Sequence, residues 1–143
     1  MAGDTLGLTT SKTLYDLTIG CFEKGGFKIM ESGEINGVFH YPLLDYVRSL
    51  GMDGRVEKNL GLDAIKEALS ENGLVLLSID LAKTSKNLSG GHLILVHTYK
   101  KEQDAFIVHD CAHAIADVGE NAVLLAKDMD AISNRKGLIL CSA

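Results

Sequence analysis

Apolar residues recur along this chain in two rhythms, helical at first and then strand-like, and the change falls near the middle. In the first half, Leu43, Leu44, Tyr46, Val47 and Leu50 make a stripe that follows Pro42 and stops at Gly51. Proline suits a first helical turn and glycine an end, so this stretch predicts a helix. Ala64, Ile65, Ala68 and Leu69 follow Gly61-Leu62-Asp63 and predict a second amphipathic helix, closed by Asn72-Gly73. Earlier, Phe22, Phe27, Ile29 and Met30 suit a buried helix over Cys21 to Glu31, ended by Ser32-Gly33, although Gly25 and Gly26 each weaken it by about 1 kcal/mol. Residues 11–19 read as an extended segment or a short helix, and Gly20 permits a turn directly before Cys21.

From Leu74 the rhythm changes. Leu74 to Ile79 is an uncharged apolar run and predicts a buried strand. Lys83 to Ser89 is polar and predicts a surface loop. Gly-Gly-His-Leu-Ile-Leu-Val-His-Thr-Tyr, a charged break at Lys100 to Asp104, and Ala-Phe-Ile-Val-His-Asp-Cys then predict a β-hairpin folded near Glu102. Ala122 to Leu125 predicts a short strand, Asp128 to Ile132 a helical turn, and Gly137 to Cys141 a last strand. Helices first and a mainly antiparallel sheet afterwards make an α+β architecture.

The hairpin carries the candidate chemistry. Folding about Glu102 sets Asp110 across from Ile94, and residues two apart on a strand share a face, so His92 and Asp110 should point the same way. An imidazole held by a carboxylate is what a general base needs. Cys21 would open a helix after a glycine, where the helix N-terminus lowers a thiol pKa and the backbone N–H can help to hold an oxyanion. The expected catalytic set is Cys21 as nucleophile, His92 as base and Asp110 as orienter, with Gly90 and Gly91 keeping side chains out of a substrate cleft beside His92.

Composition then narrows the setting. At 143 residues, 46% of them hydrophobic, the chain is the size of one domain. Residues 1–10 read as a loose N-terminal segment and 11–143 as a single domain. A net charge of −5 without a basic stripe argues against nucleic acid as a partner. Apolar runs are far too short for a membrane span, and three cysteines do not suggest a disulfide framework, so a reduced, cytoplasmic setting with free thiols is expected. His109, Cys111 and His113 alternate and could face one way around a metal. Ordinary strand histidines are the stronger reading, and neither a metal nor a cofactor is expected.

Gly91-His92-Leu-Ile-Leu-Val and Ile107-Val108-His109-Asp110 resemble the Gly-His-Phe-Val-Val-Leu and Ile-x-Asp-Pro motifs of the bacteriocin-processing cysteine peptidases. These are papain-like domains that cleave double-glycine leader peptides beside ABC exporters. Leu43 to Met52 is similar to the family's second helical block, and Leu60 to Ile79 to its next helix and central strand. The resemblance implies the papain-like cysteine peptidase fold, acyl transfer through a thioester, a peptide or protein substrate, and association with an exporter or other biosynthetic protein. Three departures stand out. Cys21 lacks the following glycine, Asp110 is followed by Cys111 instead of proline, and Tyr15 stands where the family has its oxyanion glutamine, with Thr18 nearby. Tyr15 and Thr18, with Cys21, are the candidates for the oxyanion hole. Two other functions stay open. One is a degenerate papain-like module that binds a peptide without cutting it, the reading favoured if the family's first helix aligns with Ser11 to Phe27. The other is a glutamine deamidase or acyltransferase effector.

Overall fold

The computed structural model describes residues 40–84, 90–110, 115 and 119–142. In chain order these form α1 (His40–Ser49), β1 (Met52–Glu57), α2 (Leu62–Ser70), β2 (Leu74–Asp80), a 3-10 turn (Leu81–Lys83), β3 (Gly91–Lys100), a 3-10 turn (Lys101–Gln103), β4 (Ala105–His109), β5 (Ala122–Leu125), α3 (Ala126–Ile132) and β6 (Ser133–Ser142). The strands make one six-stranded sheet in the order β1-β6-β2-β3-β4-β5. Every neighbouring pair is antiparallel. The architecture is the α+β arrangement predicted from the change of rhythm. The segments before residue 40, including the helix expected over Cys21 to Glu31, lie outside the described residues.

Both faces of the central strands are covered, which is why those strands read as nearly continuous apolar runs. Val75, Leu77 and Ile79 of β2 point to one face, where they pack with Ile94, Val96, Phe106 and Val108 beneath Ile65 of α2 and Met129 of α3. Leu74 points to the other, with Leu95, Leu138 and Leu140 beneath Leu44 and Val47 of α1. Helix α1 starts two residues before Pro42, leaving the proline in the first turn, where its missing N–H costs no bond. It ends before Gly51, whose φ of 91° only glycine adopts without strain. Helix α2 ends where Gly73 N–H bonds Ala68 O at 2.9 Å, after Asn72 at a φ of 63°.

Strand β1 has no counterpart in the pattern reading. Its sequence, Met-Asp-Gly-Arg-Val-Glu, buries Met52 and part of Val56 and exposes Asp53 and Arg55. Charge along an outer strand is a usual guard against stray pairing. Arg48 of α1 reaches across to it, bonding Asp53 Oδ1 at 3.2 Å and Gly54 O at 2.9 Å. Strand β6 inserts between β1 and β2, and a Cβ at Gly137 would run into Leu76 O, so only glycine lets these two backbones come together there.

Candidate functional site

The hairpin of β3 and β4 brings together the two residues singled out from its sequence. His92 Nε2 lies 2.7 Å from Asp110 Oδ1. The register explains it. Leu95 pairs with His109, which sets Asp110 beside Ile94, and Ile94 and His92 share a face. On the other side His92 pairs with Ile79 of β2, itself in the core beneath α2 and α3, so the imidazole sits at the rim of that face.

Asp110 is fully buried, and the His92 side chain is 17% exposed. A carboxylate out of water must find donors within the protein. Oδ1 takes the imidazole N–H and Oδ2 accepts Ile115 N–H at 3.1 Å. The Asp110 N–H meanwhile donates to Gly119 O at 2.7 Å, tying the end of β4 to the segment that leads into β5. Neither Ile115 nor Gly119 was legible as a site residue, because a backbone donor leaves no trace in side-chain type.

The contact also fixes a tautomer. An ionised carboxylate only accepts, so His92 Nε2 carries the proton and Nδ1 is left with its lone pair in the neutral ring. The free nitrogen is the one able to take a proton from a nucleophile, while the carboxylate stabilises the imidazolium that results.

Beside the dyad, Gly90 is exposed and holds a φ of 95°, a conformation that favours glycine. An added Cβ at either Gly90 or Gly91 would meet nothing within 4 Å among the described residues. A pocket of about 340 Å³ is lined by Lys83, Thr84, Ile115, Leu124, Asp128 and Ile132. It adjoins the dyad through Ile115. Its lining combines apolar side chains with one cation, Lys83, and one anion, Asp128.

Cys21, Tyr15 and Thr18 lie outside the described residues. So do Cys111 and His113 of the alternating His109-Cys111-His113 set. Among the described residues there is no group of three or more His, Cys, Asp or Glu side chains placed to hold a metal ion. Cys141 is a free, exposed thiol on β6, opposite Asp53 of β1. Among the described residues no helix is long and apolar enough to cross a membrane.

A second histidine pair occupies the opposite face of the same two strands. The rings of His97 and His109 lie against each other, tilted by 39°, with centroids 4.5 Å apart. His97 Nε2 lies 3.1 Å from Asn121 Oδ1 and Nδ1 2.8 Å from Thr98 Oγ1, while Asn121 N–H donates to His109 Nδ1 at 3.1 Å. Burial, and then the neighbouring His109, hold the His97 pKa below its ordinary value, against the opposing effect of the Asn121 bond.

No family model matches the sequence, and no curated protein does. Solved structures do resemble the fold. A Bacillus anthracis protein described as a C39-like peptidase superposes with a TM-score of 0.57 at 9% identity, over 80% of this chain. The chain spans 64% of that protein's length. The peptidase domain of Streptococcus mutans ComA superposes with a TM-score of 0.51 at 12% identity, over 94% of this chain and 98% of that domain. The fold is that of the C39-like, papain-like peptidases.

Proposed function

We propose that this protein is a cysteine-dependent acyl-transfer enzyme acting on a peptide or amide, with Cys21 as nucleophile, His92 as general base and acid, and Asp110 as orienter. The observation that carries the reading is the 2.7 Å contact between His92 Nε2 and the fully buried Asp110, which leaves Nδ1 free to accept a proton. A carboxylate committed to one ring nitrogen at a glycine-flanked strand end has a use in proton transfer. The likeness of fold to C39-like peptidases supports the same reading.

In the proposed reaction His92 Nδ1 takes the Cys21 thiol proton and the thiolate attacks the substrate carbonyl carbon. The tetrahedral oxyanion is held by the Cys21 N–H, with Tyr15 or Thr18 supplying a hydroxyl in place of the family's glutamine. Collapse breaks the C–N bond, the imidazolium returns its proton to the leaving amine, and a thioester stays on Cys21. Water then releases an acid, or an amine takes the acyl group. The pocket beside Ile115 is suited to an apolar side chain of the acyl donor, which favours a peptide over a small amide. A leader-type peptide is the substrate class in keeping with the fold.

Thiol reactivity tests the proposal. Alkylation by iodoacetamide, resolved by peptide mass spectrometry, should mark Cys21 well below about pH 8, ahead of the exposed Cys141. His92→Ala should abolish that lead. If Cys21 reacts no faster than Cys141 and Cys21→Ala leaves peptide binding unchanged, the domain binds peptides without cutting them.

A further inference from the structure

Strand β3 has one residue more than its partner can pair. Outward from the turn, Lys100 faces Ala105, Tyr99 faces Phe106 and Thr98 faces Ile107, but then Val96 faces Val108 and Leu95 faces His109. His97 is the extra residue, looped out as a β-bulge. The dyad depends on it. If the ladder continued from the turn without a bulge, Asp110 would stand opposite Leu95, whose side chain belongs to the cluster beneath α1. That face is turned away from His92, because a slip of one residue sends every side chain to the other side of a sheet. The bulge restores the pairing that sets Asp110 beside Ile94.

Its position and its contacts favour it. Val75–Val96 is the last pair of the β2–β3 ladder, at the end farthest from the connection between those strands, so bulging at His97 breaks no bond to β2. The ring of His97 lies against His109 and bonds Thr98 and Asn121. Asn121, at a φ of 53°, bonds His97 through its side chain and His109 through its N–H, so one residue at the entry to β5 holds both rings. Left-handed backbone of this kind suits asparagine better than most residues.

We propose that His97, His109 and Asn121 form a positioning clamp that fixes the hairpin register and thereby carries Asp110 to His92. Its consequence for rate rests on the acyl-transfer reading, and its effect on the dyad does not. The three residues touch no substrate in this account and act only through Asp110.

The test reads the dyad directly, in the full chain without substrate. The His92 Nε2 proton bound to Asp110 should appear far downfield in the NMR spectrum of histidine-labelled protein and vanish in Asp110→Ala. His97→Val keeps the residue count but removes the clamp, and should lose the signal. Deleting His97 removes the residue that the bulge absorbs, so Thr98 and Val96 pair in succession with Ile107 and Val108, and the signal should persist. Asn121→Gly keeps the backbone conformation without the acceptor and should weaken the signal, whereas Asn121→Asp should restore it. A role in general stability alone predicts the reverse order, with the deletion worse than the substitution. Retention of the signal in both His97→Val and Asn121→Gly, or its loss in a folded deletion variant, overturns the proposal. If His97→Val does not fold, Asn121→Gly and Asn121→Asp decide the matter. An unreactive Cys21 would overturn the enzyme reading while leaving this result intact.

Discussion

His92 and His97 lie on one strand, His109 ends the next and Asp110 directly follows it, and the two resulting pairs face opposite sides of the sheet. On one side an imidazole meets a buried carboxylate and is left with a free, basic nitrogen. On the other an imidazole meets a second imidazole, and both are occupied by Asn121. At His97 burial and the neighbouring imidazole oppose the protonated ring. The same residue type is thus a candidate base on one face and a structural clamp on the other, and the partner makes the difference.

The largest expected effect separates the two histidines by rate. His92→Ala should lower turnover of any peptide substrate by about 10²- to 10⁴-fold, the usual worth of a general base, and should also cost about 1 to 3 kcal/mol of stability because the buried Asp110 Oδ1 loses its imidazole donor. Steady-state kinetics beside urea unfolding would show both. An unchanged rate in the folded His92→Ala variant would mean that His92 is structural, like His97.

Asp110→Ala tests the carboxylate side through stability. Removing the acceptor strands the His92 N–H and the Ile115 N–H in a site closed to water, at a cost of about 3 kcal/mol in urea unfolding. Asp110→Asn keeps an acceptor and should cost less. If the two variants are equally stable, burial of the carboxylate has been overstated.

The faces themselves differ along β5, where Leu124 is buried and Val123 is 56% exposed. Ile94→Ala, in the fully buried core behind the dyad, should cost about 2 to 5 kcal/mol, and Val123→Ala less than about 0.5 kcal/mol. A large loss at Val123 would show that its face is covered after all.

The smallest effect is one of pH. His97 titrates below its ordinary value of about 6.5 in the folded protein, so the unfolded chain binds its proton first. Its contribution to stability is therefore complete above about pH 6.5 and is lost as pH falls from there through the folded pKa. His40, whose pKa is lowered by burial and then by Lys136, adds a slope of the same sign. Urea midpoints of the wild type and His97→Gln between about pH 5 and 8 isolate the His97 part, and parallel curves would remove it.

Much of the hairpin was legible because its contacts are local. The pairing of His92 with Asp110 needed only two apolar runs, a polar break and period-two alternation. The helical stripe after Pro42 and the stop at Gly51 were equally plain. Strand β1 was not, since Met-Asp-Gly-Arg-Val-Glu has neither rhythm and becomes a strand only by pairing with β6, far along the chain. The bulge was also missed, and the expected register came out right at the dyad although it is offset by one near the turn. Centring the fold on Glu102 happened to give the pairing that lies beyond the bulge.

By itself the sequence determined most of the described helices and strands, β1 excepted, and that a histidine and an aspartate meet at the far end of a hairpin, because both follow from periodicity and short-range chain geometry. Only the tertiary structure decided that β6 lies between β1 and β2 and that Asp110 is held by the Ile115 amide. It alone decided that His97 is looped out against His109 and Asn121. Those outcomes turn on close approach and hydrogen bonding between residues distant in sequence, and no local pattern encodes such contacts.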